Sequence, residues 1–550
     1  MPTIVTVNVS QQLAPKPSTL QKTGAFISQG ATVLSPGAFQ LLTQKSDLAT
    51  YLAGAQQLAA LSPSGSGSSA IVAATTENPH GYPVGSVVEL TVSGAAPSAY
   101  NGTFPCTITG ASTFTYQPGS NPGAATQLGV WTPEDVAELN EMNTSFFGQG
   151  SGQGVYVLEL GEGSVDDGVS FLSSWIAENS SPQFFYAYLV PRSWDGDASF
   201  ISLIKQFEAP SAKTYFFVTT TLATYTKYTS LMKDVISEIE APAYGPWPSN
   251  ALSYLAATGT TATAITTTPH QVSVGDWFQL SGNLPAGYNG WFEAALGTSG
   301  ETLVWQLPSA QGAETALGTL LSQPYQSDGI GSTEFSLATA FWVWLNYNPK
   351  SSNKVTPFAF SFLFGATAFP TQGNGSLLTT LKAAFTNVVG TGAEGGISDL
   401  IQLWGTTQDG NDATYWYSVD WVQINLDLNL ANAVINGSND PVNPLYYNQD
   451  GINRLQDVAA QTMSTAITNG LAFGTLTKTE LSASDFNDAL NAGTFAGQVV
   501  VNAEPFIAYN SENPNDYSEG IYDGISVVYT PSRGFTQIVV NLVVQNFVAV

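Results

Sequence analysis

The residues of this chain best suited to chemistry are two histidines, one cysteine and a few closely spaced carboxylates. His80 and His270 each follow a proline in a turn-like stretch, so each imidazole reads either as a ligand or as a hydrogen-bond partner of nearby backbone. Cys106 stands alone, which excludes an intramolecular disulfide, a cysteine zinc site and a CxxC redox pair. With two histidines far apart in the chain, neither a His-rich metal site nor a Ser-His-Asp triad is supported. Trp194-Asp195-Gly196-Asp197 sets two carboxylates beside an aromatic ring, as in sugar hydrolases, and equally reads as an acidic surface turn. Gly161-Glu162-Gly163 is followed by neither Gly-Lys-Ser nor a dinucleotide fingerprint, so no phosphate cradle is expected. Asn448-Gln449-Asp450-Gly451 lacks the repeated Asp of a calcium loop and reads as a capped helix entrance. No constellation supports an enzyme, and no cofactor or metal is expected.

Composition narrows the partners. The 550 residues carry 41 Asp+Glu against 14 Lys+Arg, a formal charge of -27, yet charged residues are only 10% of the chain. The few basic residues are scattered singly, so a polyanion would meet a repulsive field and nucleic acid is excluded. With 43% hydrophobic residues there is ample material for several cores, so disorder is not expected. The opening Met1 to Ser10 lacks the basic and apolar regions of a secretory signal, and no apolar run reaches the roughly 18 residues of a membrane span. A soluble acidic protein made inside a cell is the expectation.

An internal repeat organises the chain. Thr75-Thr76-Glu77-Asn78-Pro79-His80, Val84-Gly85, Leu90, Ser93-Gly94, Pro97 and Tyr100-Asn101-Gly102 recur in order as Thr267-Thr268-Pro269-His270, Val274-Gly275, Leu280-Ser281-Gly282, Pro285 and Tyr288-Asn289-Gly290. Further on, Tyr116-Gln117, Gly123-Ala124, Thr126 and Gly129 match Trp305-Gln306, Gly312-Ala313, Thr315 and Gly318. Short alternating runs punctuated by Asn-Gly predict two small all-β modules with tight hairpins, related by internal duplication. The Ser/Gly stretch 62–69 and Ala257-Thr258-Gly259-Thr260 read as flexible leads into insertions.

Outside the repeat, strand-like and helical stretches alternate. Val155 to Leu160, Phe184 to Val190 and Thr214 to Val218 read as strands. Phe171 to Glu178 and Tyr228 to Ile239 read as helices. Phe335 to Leu345 and Leu377 to Val388 read as helices, with Pro357 to Phe364 as a strand. This pattern argues an α/β unit with a partly parallel sheet. Ile452, Leu455, Ala459, Met463, Ala466 and Ile467 form one helical stripe opposite Asn453, Arg454, Asp457 and Gln461, with Gln456 a misfit inside the apolar arc. Strands are expected at Gly497 to Val501, Gly524 to Tyr529 and Gly534 to Gln545.

The expected fold class is therefore α+β and α/β multidomain, with mixed sheets, flanking helices and two inserted β modules. The expected boundaries are 1–65 (arm and part of an inner domain), 66–130 (module 1) and 131–252 (outer domain, first part). Beyond these come 253–320 (module 2), 321–419 (outer domain, second part) and 420–550 (inner α+β domain). Both chain ends are strand-like: Val5, Val7 and Val9 alternate with polar residues, as do Ile538, Val540, Leu542 and Val544 on one face of the last strand. Strands this apolar either pair within their own subunit or add to a sheet of a neighbour.

Asn443-Pro444-Leu445-Tyr446-Tyr447-Asn448-Gln449-Asp450-Gly451-Ile452, the Ala-rich helix and Asn469-Gly470 resemble the contractile-tail sheath proteins of myovirus-type bacteriophages. So do the opening Val5-Thr6-Val7-Asn8-Val9-Ser10 and the terminal strand. The resemblance implies a virion structural subunit, assembled in the host cytoplasm into stacked rings around a tail tube protein, between baseplate and terminator. It implies strand exchange through the two chain ends, and a helix face (Asn453, Arg454, Asp457, Gln461) near the tube. No nucleic acid, membrane insertion or cofactor is implied. Two competitors from other classes are a glycan-binding baseplate or fibre protein and a polysaccharide hydrolase using Asp195 and Asp197.

Overall fold

A computed structural model of the chain describes residues 20–535, apart from 68–69, 81, 83, 86, 230–232, 242–249, 271, 273, 275–276, 322–333, 370–374 and 393–398. They divide into two units, the larger comprising Thr23–Asn346 and Phe358–Ala413, the smaller 20–22, Tyr347–Pro357 and Thr414–Phe535. The architecture is mixed α/β, with several sheets and one closed six-stranded barrel.

The larger unit is built on an eight-stranded sheet. Its strands are β1 (Gly24–Ser28), β2 (Phe39–Leu42), β9 (Val155–Glu159), β10 (Ala187–Leu189), β11 (Tyr215–Thr219), β12 (Val235–Ile239), β19 (Asn387–Thr391) and β20 (Leu400–Leu403). They lie in the order β2-β9-β1-β10-β11-β12-β19-β20. The strands from β9 to β19 pair in parallel, and β2 and β20 close the edges antiparallel. Every residue of β1, β10, β11 and β12 is buried, as a parallel sheet covered on both faces requires. Alternate side chains serve alternate faces. Ala25 and Ile27 pack with Leu172, Trp175, Phe200 and Leu203 from helices α2 (Val165–Glu178) and α3 (Ala198–Ile204). Phe26, between them, meets Phe146 and Phe341 from helices α1 (Glu134–Phe147) and α4 (Ser336–Leu345). A short helix, α5 (Gly375–Ala383), buries Leu377 and Leu381 beside Val388.

Several local expectations change. The stretch from Tyr228 to Ile239 is not a helix: it ends in the central strand β12, where Ser237 and Glu238 are fully buried. Those polar residues break the apolar run into a helix-like spacing. Pro357 to Phe364 forms no strand, since Phe360 adopts φ +61° and only an isolated bridge joins Phe362 to Ile401. Helix α5 stops at Ala383, and Asn387 already opens β19. The largest correction concerns residues 24–65, expected with the C-terminal domain. Here β1 lies between β9 and β10 in the middle of the large sheet, because Gly24-Ala25-Phe26-Ile27-Ser28 is apolar enough to be buried on both faces.

Between β2 and α1 the chain forms the closed barrel. Its strands are β3 (Gln56–Ser64), β4 (Ile71–Thr76), β5 (Val87–Ser93), β6 (Gly102–Gly110), β7 (Thr113–Tyr116) and β8 (Val130–Pro133), in the order β3-β4-β7-β6-β5-β8. Between β12 and α4 lies a second all-β module. Its strands are β13 (Asn250–Thr258), β14 (Thr261–Thr266), β15 (Trp277–Ser281), β16 (Gly290–Glu293), β17 (Thr302–Gln306) and β18 (Thr319–Leu321), in the order β16-β15-β18-β13-β14-β17. The neighbours correspond strand for strand, and an Ala294–Trp305 bridge stands where the barrel has its β6–β7 ladder. Of the two stretches read as flexible leads, residues 62–64 end strand β3, with Ser64 paired to Ile71 of β4, and Ala257-Thr258-Gly259-Thr260 runs from the end of β13 into its turn to β14, closed by the pair Thr258–Thr261.

Asn-Gly does not close a tight hairpin in either module. Residues 94–101 separate β5 from β6, and the Asn101 side chain staples that loop. Its Oδ1 accepts from the Ala95 amide and its Nδ2 donates to the Ala95 carbonyl, both at 2.8 Å. Asn289 holds Asn283 in the same way, again at 2.8 Å. The preceding tyrosines donate to carbonyls across the module, Tyr100 to Gly123 and Tyr288 to Gly312. Gly129 and Gly318 let the returning chain approach: a Cβ on either would collide with the Ser93 or Ser281 carbonyl.

In the smaller unit, helices α6 (Ala413–Ser438) and α7 (Gln449–Thr468) precede a short β21 (Ala472–Phe473) that pairs with β25 (Thr530–Pro531). A three-stranded sheet joins β22 (Thr475–Thr479) in parallel to β23 (Gln498–Ala503), and β23 antiparallel to β24 (Ile525–Val528). Helix α8 (Ala483–Asn491) crosses between β22 and β23, burying Phe486 against Phe495 and Val500. Helices α9 (Phe506–Glu512) and α10 (Pro514–Glu519) lead into β24. Among the described residues, no helix is long and apolar enough to cross a membrane.

Candidate assembly site

The helix stripe singled out in the sequence is α7. Asn448 caps it by accepting from the Gly451 amide at 2.9 Å, as an Asx entrance should. Ile452, Ala459, Met463 and Ala466 are buried. Gln456 is buried among them because it has work inside the fold. Its amide donates to the Thr479 carbonyl at 2.7 Å and the Val501 carbonyl at 3.0 Å, tying the helix to both parallel strands.

The four polar residues opposite have different fates. Arg454 donates to the Asn443 and Pro444 carbonyls, both at 3.1 Å, and so fastens the loop between α6 and α7. Asn453 accepts from Gln449 at 2.8 Å. Asp457 forms an exposed ion pair with Lys478 at 2.7 Å, and Gln461 is exposed. Of the four, Asp457 and Gln461 are exposed, Asp457 with its charge already paired, and Asn453 and Arg454 are half-buried. The seven strand-exchange candidates, Val5, Val7, Val9, Ile538, Val540, Leu542 and Val544, lie outside the described residues. Among the described residues, β22 and β24 each pair along one side only.

The feature that sequence reasoning missed is α6. Over its 26 residues the first third is buried, with Ala413, Thr414, Tyr417, Ser418, Asp420 and Val422 inside. From residue 423 to 436 no residue is buried, although the stretch carries Ile424, Leu426, Leu428, Leu430, Val434 and Ile435. Val434 and Ile435 are 45% and 56% exposed. Val442, Tyr446, Phe473, Ile507 and Phe535 of the same unit are still more exposed. Among the described residues, the smaller unit thus leaves Val434 and Ile435 of α6 and several other large apolar side chains open, with Ile424, Leu426, Leu428 and Leu430 half-buried.

The candidate chemical residues have structural partners. Asp197 caps α3, accepting from Ser199 and Phe200 amides at 2.8 and 2.9 Å. Asp195 accepts from the Thr221 amide, the Thr224 hydroxyl and the Tyr228 hydroxyl, and burial still raises its pKa. Trp194 is fully buried, so no ring is offered to a sugar. His80 accepts at Nδ1 from the Tyr82 amide at 3.3 Å and packs on Tyr82 and Trp131. His270 Nε2 lies 3.1 Å from the Thr302 carbonyl, in the other module. Among the described residues, no cluster of histidine, cysteine and carboxylate side chains could hold a metal.

The strand order reverses at β1, where open parallel sheets commonly bind ligands beyond their carboxyl ends. Here the buried Glu159 stands at the end of β9, beside Ser28 of β1. Its carboxylate accepts from the Ser28 and Thr32 hydroxyls and from the Gly30, Thr32 and Gly161 amides. The first turn of α2 is taken by a reciprocal Ser164–Asp167 capping box. Glu162, raised in pKa by burial and by Glu159, adds negative charge. No protein-family model matches the chain, and no curated protein shows a significant match to it.

Proposed function

We propose that the chain is the structural subunit of a contractile tail sheath, polymerising around a tail tube and shortening to drive that tube through a host envelope. The observation that carries the reading is the apolar stretch of α6 left unburied from 423 to 436. Surface of this kind is costly to leave in water, at about 25 cal/mol per Å², and repeated copies of the same subunit would cover it. The β22-β23-β24 sheet supports the same reading, because its outer strands can each accept a further strand. The two chain ends, 4–10 and 536–545, have the alternation such donor strands need. Partners on this reading are further copies, a tube protein, and baseplate and terminator proteins, all in the virion. No catalytic step is required, since bistable packing of rigid units stores the energy of contraction.

The two β modules are one unit duplicated and inserted twice into the larger sheet. Their corresponding strand order, and the equivalent Asn101 and Asn289 staples, support this. Deletion of 536–550 tests the sheath reading: electron microscopy should show loss of polymers while circular dichroism shows a folded subunit. Normal tubes from the truncated chain would remove strand donation from the account.

A further inference from the structure

One cation in the larger unit is surrounded by acid. Arg192 follows β10 in a short 3-10 turn, with its guanidinium almost wholly buried. Glu240, just past β12, takes its Nε at 2.9 Å and Nη2 at 3.2 Å. Glu141 of α1 takes Nη1 at 3.0 Å, and Glu138 lies 3.7 Å from the same nitrogen while accepting the Arg192 backbone amide at 2.8 Å. Nη2 also donates to the Glu334 carbonyl, and the plane lies 4.3 Å over Phe335. Glu238 of β12 is the fourth carboxyl. One oxygen accepts from the Ser336 hydroxyl at 2.6 Å, and the side chain is fully buried beside Gln402.

The charge count is unbalanced. Among the described residues, Arg192 is the only cation paired with any of these carboxyls. Glu240 is the natural ionised partner, because it grips the guanidinium twice and also accepts the Ser336 amide at the N-terminus of α4. Glu138, Glu141 and Glu238 are then in surplus. Other groups facing the cluster are also acidic: Asp135 lies one turn before Glu138 on α1. Glu334 precedes α4, with its own carboxylate held by Thr367. Buried carboxylates in surplus cost less as neutral acids than as anions.

We propose that this cluster is a proton-operated latch, in which the surplus carboxyls carry protons while α1 and α4 are docked on the sheet, and their ionisation drives α1 away. Helix α1 is the moving part because Glu138 and Glu141 both project from it. It also continues directly from β8, so its position sets that of the barrel. Burial raises Glu138, and Glu141 to about 7, against the pull of Arg192; it raises Glu238 to about 7 against hydrogen bonds from Ser336 and Gln402, and neighbouring glutamates add a smaller push. The proton-bound form is thus the docked form below neutrality, and docking weakens as pH rises through that range. The latch works within one subunit and does not depend on the assembly reading.

The test uses the full chain, with E141Q, E238Q and the double variant. Hydrogen exchange of the α1 amides, corrected for the intrinsic effect of pH, is compared at pH about 6 and about 8.5, on either side of the titration. Wild type should lose α1 protection at the higher pH, while the double variant keeps it. Unchanged wild-type protection, or equal loss in the double variant, overturns the latch. If the double variant does not fold, infrared spectroscopy of wild type and the two single variants decides. The protonated-acid carbonyl band that fades between the lower and the higher pH should be smaller in E141Q and in E238Q than in wild type, and an equal change in all three, as Asp234 and Asp135 alone would give, refutes the proposal.

Discussion

The side-chain amide of Gln456 donates to the Val501 carbonyl at 3.0 Å from within an otherwise apolar helix stripe. A second bond to Thr479 makes this glutamine the tie between α7 and two parallel strands. Replacing it with leucine keeps the volume and removes both bonds, at a cost of about 1–3 kcal/mol. Urea unfolding followed by a probe in the smaller unit should report that loss. An unchanged midpoint would mean the bonds contribute nothing net.

The sequence flagged Gln456 only as a misfit, and the reason shows where legibility ends. Helical spacing reveals which face of α7 is buried, but not that a strand end lies opposite one buried position. Helix α6 escaped altogether because Ile424-Asn425-Leu426-Asp427-Leu428-Asn429-Leu430 alternates with a period of two, the signature of a strand. The β modules were readable as all-β, since their strands are short and alternating. Their Asn-Gly pairs misled, because the asparagine acts through its side chain on Ala95 or Asn283, not through a turn type. Residues 24–28 could not be assigned to the large sheet from local pattern, since strand neighbours in a parallel sheet are far apart in sequence.

Asn101→Ala and Asn289→Ala each remove a pair of bonds to a loop backbone, and Asn289→Ala also removes a third bond, from the Asn283 side chain at 3.0 Å. Each should destabilise its module by about 1–3 kcal/mol, and the two losses should be comparable because the backbone staples have the same geometry. Thermal unfolding of the two single variants checks this. A large effect at one site and none at the other would contradict a shared role.

Asp234 gives a pH dependence of known sign. It is fully buried, and burial above all pushes its pKa up to about 8, against its own backbone amide and the charge of Lys233. A raised carboxyl pKa stabilises the fold fully below the ordinary carboxylate range and loses that contribution as pH rises toward 8. The Tm of the larger unit should therefore fall between pH about 5 and about 8, and Asp234→Asn should flatten part of that slope. A wild-type Tm that rises across this window would reverse the assignment.

Val434→Asp and Ile435→Asp place charge on the open face of α6. Both positions are exposed, so the monomer should lose no more than about 0.5 kcal/mol per substitution. Sedimentation should show the double variant failing to polymerise under conditions where wild type assembles. Full assembly of the double variant would show that this face is not buried between copies.

Electron microscopy of the purified full chain, across a range of concentration and salt, tests the central claim most directly. The account predicts regular tubes of stacked rings with a central channel wide enough for a tail tube. A chain that remains monomeric under every condition would contradict it.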